Sequence, residues 1–196
     1  MEYLVDRSVA RCEWNLNDVL LTRYHDEEWG EPLHDDRKLF EFLALDGMQA
    51  GLSWNTILRK RENFRQAFDN FDIETVAGYN DQKVQELLAN PGIVRNNAKI
   101  HAIIQNANRV LEIQQDFGSL DAYLWGFTGG VTVHNRWQTL SEIPATSPIS
   151  DAMSKKLIAR GFKFCGSTIL YAFMQAAGIV NDHIVTCFRY KELCKG

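Results

Sequence analysis

Along most of the chain, apolar residues recur every three or four positions between short polar or glycine-bearing breaks. This is the rhythm of amphipathic helices. Residues 1–11 read as a loose lead-in, and Asn17-Asp18 opens a short helix that Gly30 and Pro32 stop. Leu39, Phe40, Leu43 and Ala44 form one face of a helix capped by Asp35 or Asp36, and Ile57, Leu58, Phe64 and Phe68 continue a helix over about 54–69. Asp72 and Asp81 cap two short helices before a break at Pro91-Gly92. The longest helix spans 94–116, with Ile100, Ile103, Ile104, Ala107, Val110 and Leu111 in a single stripe. A short aromatic helix over Leu120–Phe127 ends at Gly129-Gly130, and 129–147 reads as an irregular surface connection. Ser147-Pro148 is a strong start signal for a helix to Arg160. Gly161–Gly166 is then a tight glycine-bounded hairpin leading into a helix over about 167–177. No strand of convincing alternation, internal repeat or low-complexity segment interrupts the pattern. The expectation is an all-α fold of about ten helices, a single domain over 1–196 whose two helical lobes share a cleft.

One stretch breaks the rhythm. Leu45-Asp46-Gly47-Met48-Gln49-Ala50-Gly51-Leu52-Ser53-Trp54 places two glycines four residues apart where helix would be expected. Glycine is costly in a helix interior, so backbone shape or close approach matters more here than helix stability. Asp46 is the only acid between Phe42 and Lys60. It is either a cap for a helix that ends or begins beside Gly47, or a group that meets a ligand.

Composition narrows the setting. The 196 residues are 45% hydrophobic, ordinary for a globular protein, and five tryptophans favour a site that stacks on something flat. No apolar run reaches the length of a membrane span and the N-terminus lacks a secretory pattern, so a cytoplasmic protein that binds no membrane is expected. The net charge of −4 argues only mildly against polyanion binding, because a local basic face is enough. Such a face is available: from Met153 to Gly196 seven Lys/Arg stand against two acids.

Three constellations could carry chemistry. The hairpin at 161–166, inside a helix-hairpin-helix over about 150–177, offers backbone N–H groups and Lys163 to one point, a geometry suited to a phosphate oxygen as well as to an ordinary helical hairpin. His183 and Cys187, spaced to share a face if helical, make a Cys2His2 set with Cys12 and His25 at the other end of the chain. That set suits tetrahedral zinc, although the spacing alone also fits buried thiols and surface histidines. Trp14, Tyr24, Trp29 and Trp54 fall close to these residues and to Asp46 in sequence. Each alone reads as core. Together, beside a lone carboxylate, they resemble a slot for a flat cationic ring, where cation–π contacts contribute up to about 2 kcal/mol.

Read together, the blocks Arg-Cys-Glu-Trp (11–14), Tyr-His-Asp-Glu-Glu-Trp-Gly (24–30), Gln-Ala-Gly-Leu-Ser-Trp (49–54), Lys-Arg-Glu-Asn-Phe (60–64), Gly-Ile-Val-Arg-Asn (92–96), Arg-Gly-Phe-Lys-Phe-Cys-Gly (160–166) and Asn-Asp-His (181–183) resemble the DNA-3-methyladenine glycosylase I family. The likeness covers about residues 10–190. It implies a helix-hairpin-helix glycosylase fold with a structural zinc held by Cys12, His25, His183 and Cys187, joining the two ends of the chain. It implies a base pocket at Tyr24, Trp54 and the acid at 46, with Trp29 nearby, and a Gly51-Leu52 segment that fills the gap left by a flipped nucleotide. The family usually carries glutamate where this chain has Asp46, a carboxylate shorter by one methylene, which puts its direct reach to a base in question.

The expected activity is then that of a monomeric, monofunctional enzyme that removes 3-methyladenine from alkylated double-stranded DNA. The purine cation lodges between Tyr24 and Trp54, Trp14 and Trp29 complete the slot, and Asp46 reads the edge. Gly161, Lys163 and Gly166 hold a phosphate, and no lysine is placed to form a Schiff base. The alternatives are a zinc-containing lesion- or nucleic-acid-binding protein that has lost catalysis, and a zinc hydrolase of another substrate.

Overall fold

The computed structural model describes residues 8–15 and 18–195, the side chain of Asn15 excepted. Asn17 and the first seven residues of the expected lead-in lie outside the described residues. The chain forms ten α-helices among the described residues: α1 (Val19–Glu27), α2 (Asp36–Gln49), α3 (Trp54–Ala67), α4 (Ile73–Ala77), α5 (Asp81–Ala89), α6 (Asn97–Phe117), α7 (Leu120–Trp125), α8 (Pro148–Ala159), α9 (Ser167–Ala176) and α10 (Phe188–Leu193).

The caps explain most of the boundaries. Side chains of Asp18, Asp35, Ser53, Asp72, Asn96 and Ser119 each accept from a backbone N–H in the first turn of the helix they precede. Ser147 does so with a reciprocal bond from Ser150, and Pro148 takes the first helical position. At α5 the cap is Asn80, one residue before the expected Asp81.

Helix α2 is the hub. It packs on α3, α6, α7 and α9, and ten of its fourteen residues are buried, among them Leu39, Phe40, Leu43 and Met48. Phe68 and Phe71 stack with centroids 5.7 Å apart, and Phe40 meets Phe71 edge-on at 6.2 Å, tying α2 to the end of α3. The apolar stripe of α6 lies along α4 and α5, and α8 packs antiparallel-hairpin fashion on α9.

The stretch 129–147 lies at the surface as expected, with none of its residues buried, but it is not wholly irregular. It carries β1 (Val133–His134), which pairs in parallel with β2 (Val180–Asn181), Val133 opposite Val180 and His134 opposite Asn181. Two residues of strand show no alternation to detect, and their pairing is set by partners far away in sequence. At the other end, the backbone N–H of Phe188 donates to the carbonyl of Ala10 at 2.9 Å, bringing the first and last described segments together. No helix among the described residues is long and apolar enough to cross a membrane.

Candidate functional site

The rule-breaking stretch is the end of α2 and the turn after it. Helix α2 runs through Gly47 to Gln49, so Asp46 lies inside the helix and does not cap it. Gly47 faces the hairpin, where an added Cβ would sit 3.5 Å from the Cβ of Phe164. Gly51 adopts φ +77°, a left-handed turn that a side chain would strain, and this turn carries the chain from α2 into α3. It also presents Leu52, which is 43% exposed. Below the turn, buried Lys99 of α6 donates to the carbonyls of Met48 at 2.8 Å and Ala50 at 2.6 Å. Its ammonium satisfies carbonyls left open at the helix end and offsets the negative pole of α2.

Asp46 opens onto a cavity of about 410 Å³. Trp14, Tyr24, Trp29 and Trp54 all line it, so the four aromatics and the carboxylate share one site. The sandwich expected between Tyr24 and Trp54 is absent. Their centroids are 5.4 Å apart at 45°, whereas a ring lodged between them needs about 7 Å, two van der Waals separations. Trp14 and Trp29 meet edge-on at 5.2 Å. The rings thus line the cavity as two contacting pairs, an aromatic wall against which a flat ligand can lie.

Two buried polar atoms on this wall lack any hydrogen-bond partner, Asp46 Oδ2 and Trp54 Nε1. Asp46 is only 3% exposed, and burial pushes its carboxyl well above the usual carboxylate range. Burial first, then the nearby Asp46 and Glu28, pushes the Tyr24 hydroxyl up as well. An unsatisfied carboxyl and an unsatisfied indole N–H deep in an aromatic cavity suit a flat, polar-edged, positively charged guest.

Several lining residues gave no sequence signal of their own. Leu140 and Ile143 come from the stretch read as a connection, and Ala172, Gln175 and Ala176 from one face of α9. Gln49 also lines the cavity, inside a motif whose other members drew the attention.

Behind the aromatic wall Cys12, His25, His183 and Cys187 converge. All four are buried, with ligand atoms within 4.8 Å of one another. His183 and Cys187 do not share a helical face. They flank a turn before α10, closed by Cys187 N–H donating to the Ile184 carbonyl at 2.8 Å. His25 Nδ1 meets Asp26 Oδ1 at 2.7 Å, and His183 Nε2 meets the Trp29 carbonyl at 2.9 Å. Both acceptors require a proton on that nitrogen, which turns the bare lone pairs of His25 Nε2 and His183 Nδ1 toward each other, 3.2 Å apart. Cys187 Sγ lies 3.5 Å from each. A hydrogen bond from the Cys12 thiol pulls the Cys187 thiol well below its ordinary range, against the opposing effect of burial. Two lone pairs and a thiolate facing one point in a buried space fit a soft divalent cation.

The hairpin between α8 and α9 is locked to α6. Gln105 Nε2 donates to the Gly161 carbonyl at 2.5 Å, and Asn106 exchanges two bonds with the backbone of Lys163, at 3.0 and 2.8 Å. The N–H groups of Gly161 and Phe162 go to the carbonyls of Ile158 and Leu157. The first half of the hairpin thus spends its backbone donors inside the protein, and Gly161 contributes its φ of +94°. Lys163 keeps an exposed side chain, and Gly166 precedes α9 with no side chain capping the first turn.

The family model for methyladenine glycosylase matches residues 14–190. The DNA-3-methyladenine glycosylase 1 of Escherichia coli (strain K12) is 48% identical over 182 residues, which cover 93% of this chain and 97% of that protein. A crystal structure of 3-methyladenine DNA glycosylase I is similar with a TM-score of 0.89 at 49% identity, covering 91% of this chain and 98% of that one. The 3-methyladenine DNA glycosylase I of Staphylococcus aureus, solved for the structural basis of 3-methyladenine recognition, gives 0.88 at 35% identity over 91% and 95% of the two chains. With kinship running from Trp14 to Tyr190 and extending through the backbone, the chain belongs to the methyladenine glycosylase family.

Proposed function

We propose that the protein is a DNA base-excision repair enzyme that extrudes 3-methyladenine from alkylated double-stranded DNA and hydrolyses its N-glycosidic bond. The observation that carries this reading is Asp46: a buried carboxyl whose Oδ2 has no partner, at the wall of an aromatic cavity. Methylation at N3 makes adenine cationic. The cation supplies the charge that Asp46 lacks, and a neutral base does not, so the site favours the damaged base.

A base inside the duplex is out of reach, and unstacking it costs a few kcal/mol. Leu52, held out by the Gly51 turn, fills the gap. The extruded ring lies against Tyr24 and Trp54, with Trp14 and Trp29 completing the wall, while Asp46 accepts hydrogen bonds at its edge. The positive charge already weakens the bond between C1′ and the base. As it breaks, the bonding electrons neutralise the purine, and water adds to the oxocarbenium-like C1′ and loses a proton. None of the residues lining the cavity is a lysine, which supports a monofunctional enzyme without lyase activity.

Lys163 and Gly166, with the open first turn of α9, take a DNA phosphate in the helix-hairpin-helix over about 150–177, and Gly161 shapes the turn. We assign the Cys12, His25, His183 and Cys187 cluster to zinc. Bound there, zinc would neutralise the converging lone pairs and clasp the two ends of the chain, and with four protein ligands its part is structural. The whole chain acts as one domain and as a monomer on DNA.

The test is a glycosylase assay on methylated duplex DNA with the released bases identified. Free 3-methyladenine is the expected product. Binding of alkylated DNA without base release would instead assign a lesion-binding protein, the outcome that the shorter Asp46 side chain would favour.

A further inference from the structure

We infer that Gln175 is a specificity-determining residue, whose carbonyl oxygen, held in place by Asp182, reads the exocyclic amino group of the extruded base. This rests on the base-excision reading above. Gln175 sits in the last turn of α9 and lines the cavity. Its amide nitrogen donates to Asp182 Oδ2 at 2.8 Å. Asp182 is 1% exposed and collects three further donors: the Tyr171 hydroxyl at 2.6 Å, Asn135 Nδ2 at 2.6 Å and Trp137 Nε1 at 2.8 Å.

A carboxylate has about four acceptor positions, and here four donors occupy them. The amide of Gln175 therefore has one usable orientation. Turning it over would set Oε1 against Asp182 Oδ2, acceptor against acceptor, and abandon a charge-assisted bond. With the nitrogen committed, Oε1 is the free end of the amide, and no hydrogen bond among the described residues reaches it. The acceptors lining the cavity thus include Gln175 Oε1 and, once it is ionised beside a cationic guest, the Asp46 carboxylate, with Gln49 and the Tyr24 hydroxyl also in the lining. An amino group brings two N–H donors and suits such a pair. A carbonyl at the same place, as in a guanine-type base, leaves acceptors facing acceptors, a mismatch that sites built for a hydrogen bond penalise heavily.

The test is a thermodynamic cycle on residue and ligand, using free-base binding of 3-methyladenine and of 3-methylpurine, which lacks the amine. Removing the amine is expected to weaken binding to the wild type, and this penalty is expected to shrink about tenfold in Gln175→Met and in Gln175→Ala. A purely structural role would weaken both ligands alike, and an unchanged penalty would overturn the assignment. In unsubstituted, isotope-labelled protein the Gln175 side-chain amide resonances should shift with 3-methyladenine and stay with 3-methylpurine, so resonances unmoved by both would also refute it. Base release from methylated DNA by the wild type is scored separately. Its absence would sink the repair reading, while release with equal amine penalties would sink only the role of Gln175.

Discussion

Replacing Asp46 by asparagine is expected to lower activity and raise stability in the same protein. In the free protein the carboxyl is 3% exposed and Oδ2 has no partner. An asparagine amide at that depth is no better hydrogen-bonded than the carboxyl but has no charge to ionise, so the gain at pH 8 is only what burial costs the acid, about 1–3 kcal/mol. For a chain of this length each kcal/mol moves Tm by roughly 2–4 °C, so the variant should melt about 2–12 °C above the wild type at pH 8. Burial raises the folded pKa above the unfolded value of 3.8. The contribution of the protonated acid is therefore fully present below pH 3.8 and is lost as pH rises through the folded pKa. The gap between variant and wild type should close toward pH 4 and widen toward alkaline pH. With a cationic base bound the balance reverses. A carboxylate about 4 Å from a unit charge gains about 4 kcal/mol at an effective dielectric of 20, and ionising the buried acid takes back part of it. A net loss of about 2–3 kcal/mol on substitution corresponds to a rate roughly 30- to 150-fold lower. Single-turnover release of 3-methyladenine from methylated duplex DNA, run beside thermal melts from pH 5 to 9, measures both effects. An unchanged rate, or a lowered Tm at every pH, would refute the charge argument.

Cys187→Ser should lower bound zinc from one per chain toward zero and cut Tm by roughly 10 °C, read by elemental analysis and thermal melting. Leu52→Ala, at an exposed position, should leave Tm within about 1 °C and slow excision from fully paired duplex more than from a mismatched site, where extrusion costs less. Lys163→Ala should weaken binding to all DNA sequences alike and reduce the salt slope by about one, seen in titrations over a range of salt concentrations.

The sequence shows the helices well because their signals are local. The Ser147-Pro148 start and the Asp35 and Asp72 caps lie within a turn of the groups they satisfy. It shows the metal cluster only through residue type, since Cys12 and His25 reach His183 and Cys187 by tertiary folding. It places Asp46 correctly as an outlier but leaves open whether it caps a helix, because Gly47 can equally end a helix or let another segment approach, as Phe164 does here. Leu140 and Ile143 were hidden because β1 draws their segment to the cavity by pairing with residues nearly fifty positions later. Gln175 was hidden because it lies between Ala172 and Ala176 on a helix whose pattern reports only packing. Its meaning comes from Asp182, which the local sequence does not pair with it.

The cavity and the metal cluster are best understood as one construction. Asp46, Trp54 and Gln175 line the same cavity, carried by segments from opposite halves of the chain. Trp14 touches His25 with centroids 5.4 Å apart, and Trp29 touches His183 at 4.5 Å, so the aromatic wall rests directly on the imidazoles of the cluster. The Trp29 carbonyl also fixes the tautomer of His183, and Asp182, the residue before it, fixes the amide of Gln175. A shift of the His183 segment would therefore move a metal ligand, an aromatic wall and a polar contact of the cavity together. This gives a physical reason for the proposed buried cation: by holding the His183 segment it would set the distance between Asp46 and Gln175, and with it the shape of the guest the cavity would accept.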